Sequence, residues 1–155
     1  EGQSATFVLR IIDRSATAQP CPGTNEAEEL FRETVAYWRK WLSKCTYRGR
    51  WRETVERSAL LLKLLTYEPT GAIVAAPTTS LPEGIGGVRN WDYRYTWVRD
   101  AAFTVYAFLR LGFTDEATNF LEFLGKRSRG ERSHCEGPLQ LMYGIDGSTD
   151  LPEFE

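Results

Sequence analysis

At 155 residues the chain is long enough for one domain with a substantial apolar core, and 42% hydrophobic against 26% charged residues places it among soluble globular sequences. Its 19 basic and 21 acidic side chains leave a formal charge of −2, so nothing favours nucleic acid or an anionic membrane as partner. No apolar run approaches the roughly 20 residues of a bilayer span.

Cys21, Cys45 and Cys135 are widely spaced and suit neither zinc ligation nor a redox motif; their odd number points to a reducing cytoplasm. The chain opens on Glu1 and closes on a polar run from Asp150 to Glu155, and is expected to be a slice of a longer polypeptide.

Ala5 to Ile12 is rich in β-branched and apolar residues and runs into a polar stretch holding Pro20, Pro22 and Gly23, which predicts one strand followed by a linker. Asn25 with Glu28 three residues on forms an N-terminal capping pattern, and Phe31, Val35, Trp38 and Leu42 recur at helical spacing, predicting a helix over about 26–44. A second helix is predicted from about Trp51 to Tyr67, burying Val55, Ala59, Leu62 and Leu65 and stopping before Pro69. After a turn at Thr70 and Gly71, residues 72–77 read as a short apolar extended piece. Residues 78–90, with Pro82, Gly84, Gly86 and Gly87, form a loop long enough to suggest a function of its own.

Val98 to Leu111 is predicted helical, apolar on nearly every face and therefore enclosed, with Asp100 and Arg110 matching the helix dipole and Gly112 as terminator. Thr114 opens a further helix whose Ala117, Phe120, Leu121 and Leu124 make a single apolar stripe. An enclosed helix followed by a one-sided helix is what concentric helical rings require. A charged loop over 126–137 then leads to an apolar run, Leu139 to Tyr143, and a turn at 144–147.

The chemistry concentrates in Asn90 to Asp100, which sets the rings of Trp91, Tyr93, Tyr95 and Trp97 among Asp92, Arg94, Arg99 and Asp100. A pyranose offers C–H faces to an aromatic wall and vicinal hydroxyls to a fixed guanidinium and carboxylate together. Arg99 and Asp100 are read as binding two hydroxyls of one sugar ring, with Trp97 and Tyr93 as wall and floor; the alternative is a buried structural ion pair at the helix end. Arg94 is read as structural. Thr78, Thr79 and Ser80 are turn formers that could also touch a ligand. His134 beside Cys135 lacks an orienting carboxylate, and Asp146 with Asp150 around Gly147 reads as a turn, without the ligand spacing of a calcium loop. No phosphate loop, zinc signature or serine elbow is present, and no metal or cofactor is called for.

The blocks at 69–87, 89–104, 109–117 and 139–147 closely resemble glycoside hydrolase family 15, which holds glucoamylases, glucodextranases and prokaryotic trehalases. The resemblance is strong over about 67–151. It implies a mainly α fold: a partial (α/α)6 toroid, the first helices of the ring, preceded by a linker helix and the last strand of an N-terminal β-sandwich. Residues 1–22 would end the sandwich domain, 23–50 form the helical linker, and 51–155 open the catalytic ring. It also implies an inverting O-glycosyl hydrolase acting on α-glucosidic linkages from a non-reducing glucose end, with Tyr93, Trp97, Arg99 and Asp100 binding that terminal sugar in the innermost subsite. The partner is then an α-glucoside or oligosaccharide. Inverting enzymes set two carboxylates about 6.5–9.5 Å apart; in this family both are glutamates well downstream, so no catalytic residue is expected here and the 155-residue piece is expected to be inactive alone. Which linkage is cut stays open. The rival readings are a non-catalytic carbohydrate-binding remnant and a toroid-fold sugar phosphorylase.

Overall fold

The structure is a computed structural model that describes residues 5, 7, 22–128 and 139–151. It divides into two compact units, residues 1–43 and 44–155. The described chain is mainly helical, as the sequence implies. The strand predicted from Ala5 to Ile12 lies, except for Ala5 and Phe7, outside the described residues, as do Cys21, His134 and Cys135.

The first unit holds α1 (Thr24–Leu42). It starts earlier than the capping pattern at Asn25 suggested, because the Ala27 amide already bonds the Gly23 carbonyl at 2.9 Å and Thr24 tolerates a first-turn position. Glu26 in its first turn and Arg39 and Lys40 in its last oppose the macrodipole. On this helix Trp41 is buried and Trp38 half-buried, and their rings meet edge to face at 6.2 Å.

The second unit begins its regular structure with α2 (Arg52–Leu64), which buries Ala59 and half-buries Val55, Leu62 and Leu65, the stripe expected. The helix ends three residues short of Tyr67. The Leu65 amide folds back to the Leu62 carbonyl at 3.1 Å, and Thr66–Tyr67 become a strand, β1, paired antiparallel with β2 (Ala72–Ile73). The connection closes through the Gly71 amide on the Tyr67 carbonyl at 2.9 Å. Gly71 stands at φ +80° against the Asn119 backbone, where a Cβ would collide with a carbonyl oxygen.

β3 (Thr96–Trp97) runs directly into α3 (Val98–Leu111). Gly112 at φ +92° ends α3, with the Phe113 amide reaching back to the Phe108 carbonyl at 2.9 Å, the Schellman closure that only a glycine-like conformation permits cheaply. α4 (Thr114–Ser128) follows at once and packs against α3. β4 (Met142–Tyr143) pairs antiparallel with β3. The core between these elements is aromatic: Phe108 meets Phe113 edge to face at 6.1 Å, Phe120 stacks on Phe123 at 6.0 Å, and Phe123 meets Tyr143 at 6.3 Å.

Two helix faces differ from expectation. α3 is not enclosed by the described residues: Ala101, Val105 and Phe108 are buried, but Phe103, Tyr106 and Leu109 are exposed, because only one side of the helix meets α4 and β3. On α4 the buried face is Glu116, Ala117, Phe120 and Phe123, with Leu121 exposed. The true stripe follows i, i+3, i+4, i+7 spacing from the buried Phe113, through Glu116 and Ala117 to Phe120, so a carboxylate occupies a position that an apolar count passes over.

Candidate functional site

The aromatic block is held from both sides by backbone. On one side the Ala75 and Ala76 amides donate to the Tyr95 and Tyr93 carbonyls at 3.2 and 2.9 Å, and the Ser80 amide donates to the Trp91 carbonyl at 2.7 Å. The Ser80 hydroxyl accepts the Trp91 amide at 2.6 Å, and Thr79 bridges Asp92. On the other side β4 pairs with Thr96 and Trp97, and the Val98 amide continues the contact to the Leu141 carbonyl at 3.1 Å. The apolar piece at 72–76 and the run at 141–143, unremarkable separately, therefore brace residues 91–98.

Within this frame Trp97 is only 7% exposed. Its indole N–H donates to the Asp92 carbonyl at 2.8 Å, and its ring meets Trp91 at 6.2 Å and Tyr93 at 6.3 Å, both edge to face. Trp91 is exposed and Tyr93 half-buried. The structure thus brings Tyr93 and Trp97 together, with Trp91 as a third ring that residue-type reasoning had left unassigned although it belongs to the same block.

Arg99 and Asp100 stand in the first turn of α3. Their side chains are 71% and 42% exposed, and Arg99 Nε lies 3.7 Å from Asp100 Oδ2, longer than a hydrogen bond. A buried ion pair sealing the helix end is therefore not what these residues form. Such an exposed contact contributes about 0–1 kcal/mol, so among the described residues neither the Arg99 guanidinium nor the Asp100 carboxylate is tied up in a strong ion pair.

Arg94, read as structural, grips Asp92: Nε lies 2.9 Å from Oδ1 and Nη2 lies 2.7 Å from Oδ2. The Arg94 backbone amide also donates to Oδ1 at 2.9 Å. Bonding from the Arg94 guanidinium holds the Asp92 carboxyl below the usual aspartate range, and Asp92 in turn raises Arg94. The Asp146 segment is a turn as expected: the Gly147 amide bonds the Gly144 carbonyl at 2.9 Å, and Asp146 Oδ1 accepts the Ser148 amide. Cys45 is buried and in no disulfide among the described residues.

The family model for "Glycosyl hydrolases family 15" matches residues 49–155. A trehalase of Thermoplasma acidophilum is 52% identical over 124 residues, 79% of this chain and 20% of that protein. A trehalase of Mycolicibacterium smegmatis is 45% identical over 143 residues, covering 91% and 21%. Trehalase 1 of Sulfolobus acidocaldarius is 38% identical over 131 residues, covering 84% and 22%. The chain thus spans about a fifth of the length of the curated relatives it matches. No solved structure matches it significantly.

Proposed function

Because the chain belongs to glycosyl hydrolase family 15, we propose that it supplies the innermost sugar subsite of an inverting α-glucosidase, with trehalose as the first substrate to test. The observation that carries this reading is the match itself, which runs through residues 91–100 and extends to relatives named trehalase at 45–52% identity. The exposed Arg99 and Asp100 at the start of α3 support it, since a donor fork beside an acceptor pair suits the adjacent hydroxyls of a glucose ring. Tyr93 and Trp97 would then present the aromatic wall, with Trp97 as its fixed, mostly covered part.

In this proposal residues 51–155 open an (α/α)6 ring, residues 23–50 link it to a preceding domain, and the glutamate acid and base lie in another part of the protein. The work of these four residues is binding and orientation. A glucose held by two charge-assisted hydrogen bonds on one edge and by rings on its C–H face has a fixed anomeric carbon, which is what an in-line water attack needs.

The test is hydrolysis by the intact polypeptide carrying this chain, followed by proton NMR in phosphate-free buffer. Inversion should release one β-glucose and one α-glucose from trehalose, and β-glucose from maltose. No glucose from trehalose, maltose or dextrin overturns the proposal, and turnover only with added phosphate reassigns the chain to a phosphorylase.

A further inference from the structure

We propose that Asp92 is a positioning residue for the aromatic wall, fixing the Trp97 indole through its carbonyl oxygen and fixing that carbonyl through the grip of its carboxylate on Arg94. The inference deepens the sugar-subsite reading and rests on it.

Asp92 joins three separate constraints in one residue. Its backbone bridges Thr79 of the bracing segment, its carboxylate accepts both the side chain and the backbone amide of Arg94, and its carbonyl accepts the Trp97 indole N–H. An aspartate that bonds the amide two residues ahead closes an Asx turn, which fixes the backbone torsions of the turn and therefore the direction of the Asp92 carbonyl. That direction sets where the Trp97 ring lies, and Trp97 in turn is the ring against which both Trp91 and Tyr93 pack edge-on. The Arg94 fork closes over the same carboxylate from outside, with the Arg94 side chain 64% exposed. An ion pair so open contributes little to folding, so its effect is on the geometry of the turn. Arg94 keeps the carboxyl below its ordinary range, which leaves it ionised at neutral pH. With both oxygens already occupied, Asp92 is poorly placed to act as a proton donor or as a base for water.

The experiment compares Asp92→Asn, Arg94→Ala and the double variant in the intact polypeptide, reading KM and kcat on trehalose, melting temperature and near-ultraviolet circular dichroism of the tryptophans. The expected result is an about three- to tenfold rise in KM with each single variant, a weakened tryptophan signal, and melting within about 2 °C of the parent. The double variant should be no worse than the more damaged single, because both act through one turn. Unchanged KM with an unchanged tryptophan spectrum overturns the proposal, and so does a loss of activity that only tracks a fall in melting temperature. If the parent cleaves no α-glucoside, the subsite reading fails by itself, while the tryptophan spectra still decide whether Asp92 and Arg94 position Trp97.

Discussion

Lys63 Nζ of α2 lies 2.8 Å from Glu116 Oε1 of α4, with the two side chains only 14% and 5% exposed, the deepest ion pair among the described residues. Removing one partner strands a buried charge, which costs about 3–5 kcal/mol, whereas replacing both by apolar groups of similar volume is often neutral. Glu116→Ala should therefore lower the urea midpoint of the intact polypeptide strongly, and Lys63→Met combined with Glu116→Leu should recover most of it. A midpoint unmoved by Glu116→Ala would show that α2 and α4 do not depend on this contact.

Thr96 presents the opposite case. It is fully buried, and its hydroxyl has no hydrogen-bond partner among the described residues. Swapping the hydroxyl for a methyl relieves an unmet desolvation cost, so Thr96→Val should be neutral or stabilising by about 1 kcal/mol. Thermal melting of the two proteins side by side checks the sign.

Gly71→Ala should destabilise by about 2 kcal/mol or more. The left-handed conformation alone costs an alanine roughly 1–2 kcal/mol, and the added methyl has the Asn119 carbonyl in its path. A melt showing less than a degree of change would mean that the β1–β2 turn can move away from α4.

Arg99→Ala and Asp100→Ala test the subsite directly. Truncating one partner of a desolvated charged contact costs about 2–5 kcal/mol, so each should cut kcat/KM by roughly 30-fold to several thousandfold. Both should leave melting unchanged, since in the free protein they are exposed and 3.7 Å apart. Near-parental kcat/KM in both variants removes these residues from sugar binding.

Among the described residues three carboxyls are held below the ordinary aspartate value of 3.8: Asp92 by the Arg94 side chain, Asp115 by the Lys44 side chain and Asp146 by the Ser148 amide. A depressed folded-state value means that the unfolded chain binds the proton more readily. The associated stability is therefore fully present above about pH 5 and is lost as pH falls below 3.8 through the folded values. Melting temperature should be insensitive to pH near neutrality, where the contribution of these groups is constant, and fall on the acid side, and Asp92→Asn should flatten part of that fall. An acid limb identical in parent and variant would exclude Asp92 as a contributor.

Local signals made much of this architecture legible in the sequence. α3 begins and ends where the residue pattern places it, and α4 starts there, because Gly112 and Thr114 act on their own neighbours; α4 then continues to Ser128, through residues 126–128 that the pattern assigns to a charged loop. What local periodicity does not carry is pairing at a distance. The last turn of the predicted α2 is given up to Thr66–Tyr67 because Ala72–Ile73 offers a ladder, and Met142–Tyr143 gains meaning only by lying beside Thr96–Trp97. Apolar counting also put Leu121 inside and passed over Glu116, whose burial depends on Lys63, a residue on another helix. At the candidate site the block itself was readable, while the pairing of Arg94 with Asp92 comes from the structure. The anchoring of Trp97 on a main-chain oxygen was not, since every residue type carries one.

The excursion between residues 80 and 91 is closed twice at its base, once by Ser80 with Trp91 and again by Glu83 with Arg89, where amide and carbonyl meet at 3.0 Å and the side chains at 3.5 Å. Beyond that double knot Ile85 and Val88 stand in solvent. Doubling the length of a flexible loop adds only about 0.6 kcal/mol of closure entropy. Peptide inserted at 84–88 would thus be insulated from the rings below, which makes this tip a natural attachment point for a fluorophore, an affinity tag or a grafted binding peptide.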